Sequence, residues 1–167
     1  MLGQLKEQQL GRGLILTNGE FGERLHKQAQ RWSLDFDVME QDWGMEFDKQ
    51  QLDSFFQTNS YSWLLAVHGE TSTGTCNDLE TLVQLTKRYN VKLCVDCISS
   101  FGAMSFSLKE CYLATAVSGK ALGALSGLAF VFFAGTREAV HDFTRLHRFG
   151  QLSARHRPIY NASSTCW

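Results

Sequence analysis

Apolar runs alternate with helical patterns along most of the chain, and this alternation constrains the possible folds more than any other feature. Helical spacing is found at 20–32, 48–57, 77–89 and 136–149, and strand-like runs lie at 13–17, 34–40, 61–68, 91–96, 112–118 and 128–134. A regular β-α-β-α order is typical of an α/β domain built around a mainly parallel sheet. The sequence therefore predicts a three-layer αβα arrangement.

Short polar side chains mark the starts of two of these helices. Asp48 is expected to cap the helix at 48–57, and either Asn77 or Asp78 is expected to cap the next one. The helix at 77–89 has one apolar side, which contains Leu79, Leu82, Val83 and Leu85.

The composition limits the kinds of partner that the chain can have. Its 167 residues suffice for one ordinary domain. A formal net charge of −1 gives no electrostatic reason to expect nucleic acid or an anionic membrane as a partner. No apolar segment reaches the ~20 residues that span a bilayer. The first residues, MLGQLKEQQLGRGLI, lack the features of a secretory signal, so a cytosolic protein is expected.

Five cysteines at irregular spacing do not form a disulfide framework. Cys94 and Cys97 match the pattern C-x-x-C, but they lie where a predicted strand runs into a loop, without a second cysteine pair. We interpret them as small buried residues rather than as zinc ligands or a redox pair, and no metal is expected.

Polar residues follow three of the predicted strands, in the segments HGETSTG (68–74), DCISSFG (96–102) and SGKALG (118–123). Parallel strands end at one edge of a sheet, and ligands bind at that edge. We therefore expect Thr71, Asp96 and Lys120 to lie within reach of one ligand. Asp96 ends the apolar run VKLCV, so its carboxylate is partly desolvated and needs a cationic partner.

A lysine and an aspartate at such an edge suit one kind of cofactor. A lysine near an apolar sheet edge can have a lowered pKa and attack a carbonyl group to form a Schiff base. An aldehyde cofactor with a pyridine ring needs such a lysine, and an aspartate that keeps its ring nitrogen protonated. Taken alone, Lys120 is more typical of a solvated strand edge and Asp96 of a structural cap, so spacing leaves both readings open.

Three segments together resemble the class V aminotransferases of pyridoxal-phosphate fold type I. These segments are NGEFGERL, HGETSTGTCNDLETLVQLTKRYNVKLCVDCISSFGA and SGKALGALSGLAFV, which occur in the family's order. The resemblance extends over 11–150 and is nearest to the 2-aminoethylphosphonate–pyruvate and alanine–glyoxylate (serine–pyruvate) transaminases. It implies the large domain of a pyridoxal 5'-phosphate-dependent transferase, in incomplete form.

The resemblance assigns roles to individual residues. Lys120 matches the lysine that forms the Schiff base with the cofactor and moves the substrate proton, and Asp96 matches the partner of the pyridine nitrogen. Thr71 matches the hydroxyl near the phenolic oxygen of the cofactor. Phe21 takes the position of the aromatic residue stacked on the cofactor ring, and Ile98 is expected to cover the opposite ring face.

The resemblance also bears on domain organisation. It makes 1–150 the central part of the cofactor-binding large domain, and 151–167 an irregular tail that is truncated before the small C-terminal domain. Tyr160, in this tail, matches a residue that reaches the cofactor phosphate of a neighbouring subunit. Gly119 departs from the Gln or Asn often found before the lysine. The family's glycine-rich phosphate turn and its carboxylate-binding arginine have no counterpart here.

The implied function is transfer of an amino group from 2-aminoethylphosphonate, alanine or serine to pyruvate or glyoxylate, by a homodimer with no nucleic-acid or membrane partner. Two alternatives stay open. A cysteine desulfurase of the same fold would need a mobile cysteine after the lysine, where Cys166 is the single candidate. A non-catalytic remnant would keep the fold alone. His68 and Glu70 are interpreted as ordinary loop residues.

Overall fold

The computed structural model describes residues 1–134, which contain four helices and eight strands. The helices are α1 (Leu2–Glu7), α2 (Glu20–Arg31), α3 (Lys49–Thr58) and α4 (Leu79–Arg88). The strands are β1 (Gly13–Thr17), β2 (Phe36–Glu40), β3 (Trp63–Val67), β4 (Gly69–Glu70), β5 (Thr75–Cys76), β6 (Lys92–Asp96), β7 (Leu113–Val117) and β8 (Ala129–Phe133). The helix predicted at 136–149 and the tail at 151–167 lie outside the described residues.

Six strands form one sheet in the order β2-β1-β3-β6-β7-β8. The first five of these run parallel to one another, whereas β8 is antiparallel to β7. A reversal is expected there, because β8 follows a loop, and a parallel neighbour would need a longer crossover connection. The mainly parallel sheet that the sequence predicts is confirmed.

Two apolar cores lie on opposite faces of this sheet, because successive side chains of a strand point to opposite sides. In β3, Leu64 and Ala66 belong to one core, and Trp63, Leu65 and Val67 belong to the other. Helices α3 and α4 cover the first core, and α1 and α2 cover the second. The sheet between two helical layers is the predicted αβα arrangement.

Both predicted helix caps are present. Asp48 and Asp78 each accept a hydrogen bond from the backbone N–H three residues further on, at 2.8 and 3.1 Å. Asn77, the alternative to Asp78, is buried and donates to the Val67 carbonyl at 2.8 Å. Its amide therefore links the end of β3 to the start of α4.

Two elements have no counterpart among the sequence predictions. α1 has six residues and packs on the sheet through Leu2 and Leu5. β4 and β5 pair in an antiparallel hairpin with two residues in each arm. Both are too short for a periodic pattern to be visible. No helix in the described part has the length and apolar character required to cross a membrane.

The C-x-x-C pair is buried, as the sequence predicts. Cys94, Cys97 and Cys111 are buried free thiols, whereas Cys76 is exposed. Burial raises the pKa of Cys97 and of Cys111 to about 12, so both stay protonated near neutral pH. Within residues 1–134, no group of three His, Cys, Asp or Glu side chains could hold a metal ion.

Gly13 allows β1 to approach a large buried ring in β3. The two strands pair Gly13 with Trp63, and a Cβ added at Gly13 would lie 2.0 Å from a ring carbon of Trp63. The indole N–H donates to the Gly11 carbonyl at 2.9 Å, so the ring cannot withdraw without losing this bond. The pairing of β1 with β3 therefore requires glycine at this position.

Gly13→Ala is expected to lower the free energy of unfolding by about 2 kcal/mol, because the added methyl group overpacks the core. Urea unfolding measures the change. Trp63→Leu removes the ring that the added methyl group would meet. In this background, Gly13→Ala should lower the free energy of unfolding much less than it does in the wild type. Equal costs in the two backgrounds would contradict the contact.

Candidate cofactor site

Three neighbouring strands deliver polar residues to one edge of the sheet. β3, β6 and β7 are parallel, and their register aligns Val67 with Asp96 and Asp96 with Thr115. Because the three strands run in one direction, the segments that follow them leave from the same edge. Thr71, Asp96 and Lys120 are therefore brought to a common edge.

Asp96 ends β6 with a half-buried carboxylate. Its Oδ1 accepts the Ile98 N–H at 2.9 Å and lies 3.4 Å from the Thr115 hydroxyl. Burial raises the pKa of Asp96 above its ordinary value of 3.8, and the charge of Glu70 adds to this effect. Within residues 1–134, no cationic group forms an ion pair with Asp96. The charge of the N-terminal ammonium acts to lower this pKa, but less strongly than burial raises it.

Lys120 and Phe21 are in contact across the edge. The Lys120 Nζ lies 5.7 Å from the centre of the Phe21 ring, which is half-buried in the first turn of α2. The Arg24 guanidinium carbon lies 5.0 Å from the same ring centre and is paired with Glu20. A cation over an exposed aromatic face gains roughly 0.5–1 kcal/mol. The Lys120–Phe21 contact brings the loop after β7 against α2.

Ser118 fixes the base of the loop that carries Lys120. Its side chain is buried, donates to the Leu125 carbonyl at 2.7 Å and accepts from the Leu128 N–H at 3.2 Å. The two ends of the loop are therefore closed on one hydroxyl, and Lys120 projects from a short, exposed turn beyond it.

Gly119 packs against the returning part of this loop. A Cβ added there would lie 2.1 Å from the Ser126 Oγ and 3.0 Å from the Ser126 Cα. The loop would have to open before position 119 could carry a side chain. This explains locally why Gly119 stands where the family resemblance leads one to expect Gln or Asn.

The other predicted site residues are distributed unevenly. Thr71 is exposed at the start of the β4–β5 turn. Ile98 is half-buried, and it donates its backbone N–H to the Asp96 carboxylate. Tyr160 lies outside the described residues.

The interpretation of His68 and Glu70 as ordinary loop residues is wrong. His68 is 6% exposed, donates its backbone N–H to the Asp96 carbonyl at 2.9 Å, and has Nδ1 2.9 Å from the Ser100 Oγ. Burial lowers the pKa of His68, which favours the neutral imidazole.

Glu70 is 0% exposed and binds backbone N–H groups of α2. One sequence feature bears on Glu70: the N-cap of α2 is Gly19, which has no side chain, so a group from elsewhere in the chain can bind the free N–H groups of this helix.

The fold is that of pyridoxal-phosphate-dependent aminotransferases. An alanine–glyoxylate aminotransferase from Nostoc sp. has 28% identity and a TM-score of 0.71, over 86% of this chain and 39% of that one. A pyridoxamine–pyruvate aminotransferase from Mesorhizobium loti has a TM-score of 0.72 at 22% identity, over 86% of this chain and 38% of that one.

The sequence comparisons establish the family. The profile described as Aminotransferase class-V matches residues 6–157, and the chain belongs to this family. A 2-aminoethylphosphonate–pyruvate transaminase from Pseudomonas putida (strain W619) is 33% identical over 125 residues, which are 73% of this chain and 34% of that protein. The chain therefore spans about a third of the length of the curated relatives that it matches.

The raised pKa of Asp96 predicts a pH-dependent stability difference between the wild type and Asp96→Asn. The folded protein retains the Asp96 proton to a higher pH than the unfolded chain does, so ionisation costs stability as the pH rises above 3.8. Relative to Asp96→Asn, the wild type should lose unfolding free energy above this pH, until Asp96 is ionised in the folded state. Urea unfolding between acid and neutral pH measures the difference.

The matched control is Asp35→Asn, because Asp35 is an exposed carboxylate. Its difference from the wild type should stay flat over the same range. An Asp96→Asn difference that does not change with pH, or that changes in the opposite direction, would refute the assignment.

Proposed function

We propose that this protein uses pyridoxal 5'-phosphate to transfer amino groups, with the cofactor bound at the sheet edge that carries Asp96 and Lys120. The observation that carries the proposal is the Asp96 carboxylate, which has a raised pKa and no ion-pair partner within residues 1–134. A protonated pyridine nitrogen is the kind of cation that this carboxylate lacks. Asp96 would hold the proton on that nitrogen.

Lys120 would bind the aldehyde carbon of the cofactor. The bound cofactor supplies an electron sink for the electron pair left at the α-carbon of a substrate. The Lys120 amine is exposed, and among the described residues it makes no ion pair. Once the amino donor has displaced Nζ from the aldehyde carbon as a neutral amine, Lys120 would accept a proton from the α-carbon and return it elsewhere.

The other proposed cofactor contacts come from residues near the same edge of the sheet, with Tyr160 as an additional candidate. Phe21 presents its ring to the Lys120 Nζ at 5.7 Å, which supports a stacking role for the ring. Ile98, two residues after Asp96, would cover the opposite face, and the exposed Thr71 hydroxyl would donate to the phenolic oxygen. The phosphate contact of Tyr160 remains a prediction, because this residue lies outside the described part.

The substrates that we propose are a small amino donor (2-aminoethylphosphonate, alanine or serine) and pyruvate or glyoxylate as acceptor. The names of relatives, 2-aminoethylphosphonate–pyruvate transaminase and alanine–glyoxylate aminotransferase, support this choice. The homodimer, the cytosolic location, and the division into a large-domain part at 1–150 and a tail at 151–167 remain predictions from the sequence.

Lys120→Ala is expected to abolish the visible absorption that appears when the purified protein is incubated with pyridoxal phosphate, because the amine that binds the aldehyde is lost. Borohydride reduction followed by peptide mass spectrometry should locate the pyridoxyl group on Lys120 in the wild type.

Lys109→Ala is the control, since Lys109 is also exposed but lies in the loop between β6 and β7. It should keep both the absorption and the label on Lys120. If Lys120→Ala retains the wild-type absorption, or if the label is spread over surface lysines, Lys120 is not the cofactor lysine.

Asp96→Asn is expected to bind pyridoxal phosphate but to react with the amino donor about 100-fold more slowly, because the charge that keeps the ring nitrogen protonated is gone. A stopped-flow half-reaction with each of the three amino donors measures the rate. The donor that reacts fastest with the wild type identifies the preferred substrate. Equal rates in the wild type and Asp96→Asn would remove Asp96 from the proposed chemistry.

A further inference from the structure

The helix that carries Phe21 is capped by a residue from another part of the chain. Its N-cap residue is Gly19, which has no side chain to offer. Instead, Oε2 of Glu70 accepts the N–H groups of Phe21 and Gly22, at 3.1 and 3.0 Å. A Cβ added at Gly19 would lie 2.5 Å from the Glu70 Cγ. Glycine at this position therefore leaves room for the Glu70 side chain.

The other oxygen of the same carboxylate binds the turn that contains Thr71. Oε1 of Glu70 accepts the Ser72 hydroxyl at 2.5 Å and the Ser72 N–H at 3.3 Å. The Ser72 hydroxyl in turn accepts the Glu20 N–H at 3.0 Å. Thr71 is the single residue between the two partners, so its backbone is fixed from both sides.

The chemistry of these contacts requires a carboxylate. The partners of both Glu70 oxygens are hydrogen-bond donors, and the positive end of the α2 dipole lies against the negative charge. A glutamine at this position could satisfy only one side, because its amide nitrogen would face the donors on the other. Glu70 is 0% exposed, so water cannot replace a lost hydrogen-bond partner at this position.

Phe21 and Thr71 come from segments that are 50 residues apart in the sequence and are joined in the structure through this carboxylate. We propose that Glu70 is a positioning residue that sets the placement of the Phe21 ring relative to the Thr71 hydroxyl. The inference rests on the proposed function, in which the ring stacks on the cofactor and the hydroxyl binds its phenolic oxygen. Glu70 itself, being buried under both segments, acts only through them.

Glu70→Gln tests the proposal. We expect its dissociation constant for pyridoxal phosphate to rise by about tenfold, and the circular dichroism of the bound cofactor to change, because the ring no longer sits in a fixed orientation. Hydrogen exchange at the Phe21 and Gly22 amides should quicken in the protein without cofactor. The control is Glu80→Gln, which removes an exposed charge from the first turn of α4, on the opposite face of the sheet from α2, and should leave the affinity and the dichroism unchanged.

Ser72→Ala provides a second variant if Glu70→Gln does not fold, because it removes one hydroxyl and keeps the carboxylate. It should show the same change in dichroism with a smaller loss of affinity. A folded Glu70→Gln, or in its place Ser72→Ala, that binds pyridoxal phosphate with wild-type affinity and dichroism overturns the proposal. If the wild type shows no Lys120-dependent absorption, the proposed function fails, and the positioning role fails with it.

Discussion

The parallel hydrogen-bonded pairing of β3, β6 and β7 is the constraint on which the rest of the site depends. It aligns Val67, Asp96 and Thr115 across three neighbouring strands, so that the segments after each strand emerge side by side. Without a common direction, the Asp96 carboxylate and the Lys120 loop would leave the sheet at opposite edges. The helical layers protect this pairing from water, and the candidate site residues lie where the apolar cores end.

Two carboxylates near this edge, Glu70 and Asp96, differ in how many hydrogen-bond donors surround them. Glu70 is fully enclosed, but each of its oxygens is met by hydrogen-bond donors and by the start of α2. Asp96 has one close backbone donor and one long contact to Thr115. The first arrangement is complete within the described protein. In the second, burial without an ion pair within residues 1–134 raises the pKa of the carboxyl group, so Asp96 rather than Glu70 is the candidate for binding a ligand.

The sequence predicted the sheet because its central strands are continuous apolar runs separated by segments of helical spacing, as GLILT and WLLAV illustrate. The caps at Asp48 and Asp78 were predictable because capping is a local interaction. The β4–β5 hairpin and α1 were missed, since two-residue and six-residue elements leave no periodic signal. Glu70 was missed for a different reason. Its partners in α2 are about fifty residues away, and spacing along the chain carries no information about which loop will reach which helix.

The distribution of thiols has a practical consequence. Of the four described cysteines, Cys76 alone is exposed, and burial is the main cause that raises the pKa of each of them. Access rather than acidity must then decide which of these four an alkylating reagent modifies first. Cys76 pairs with Gly69 in the hairpin that carries Thr71. A fluorophore attached there would report on the hairpin that carries Thr71 without entering either core.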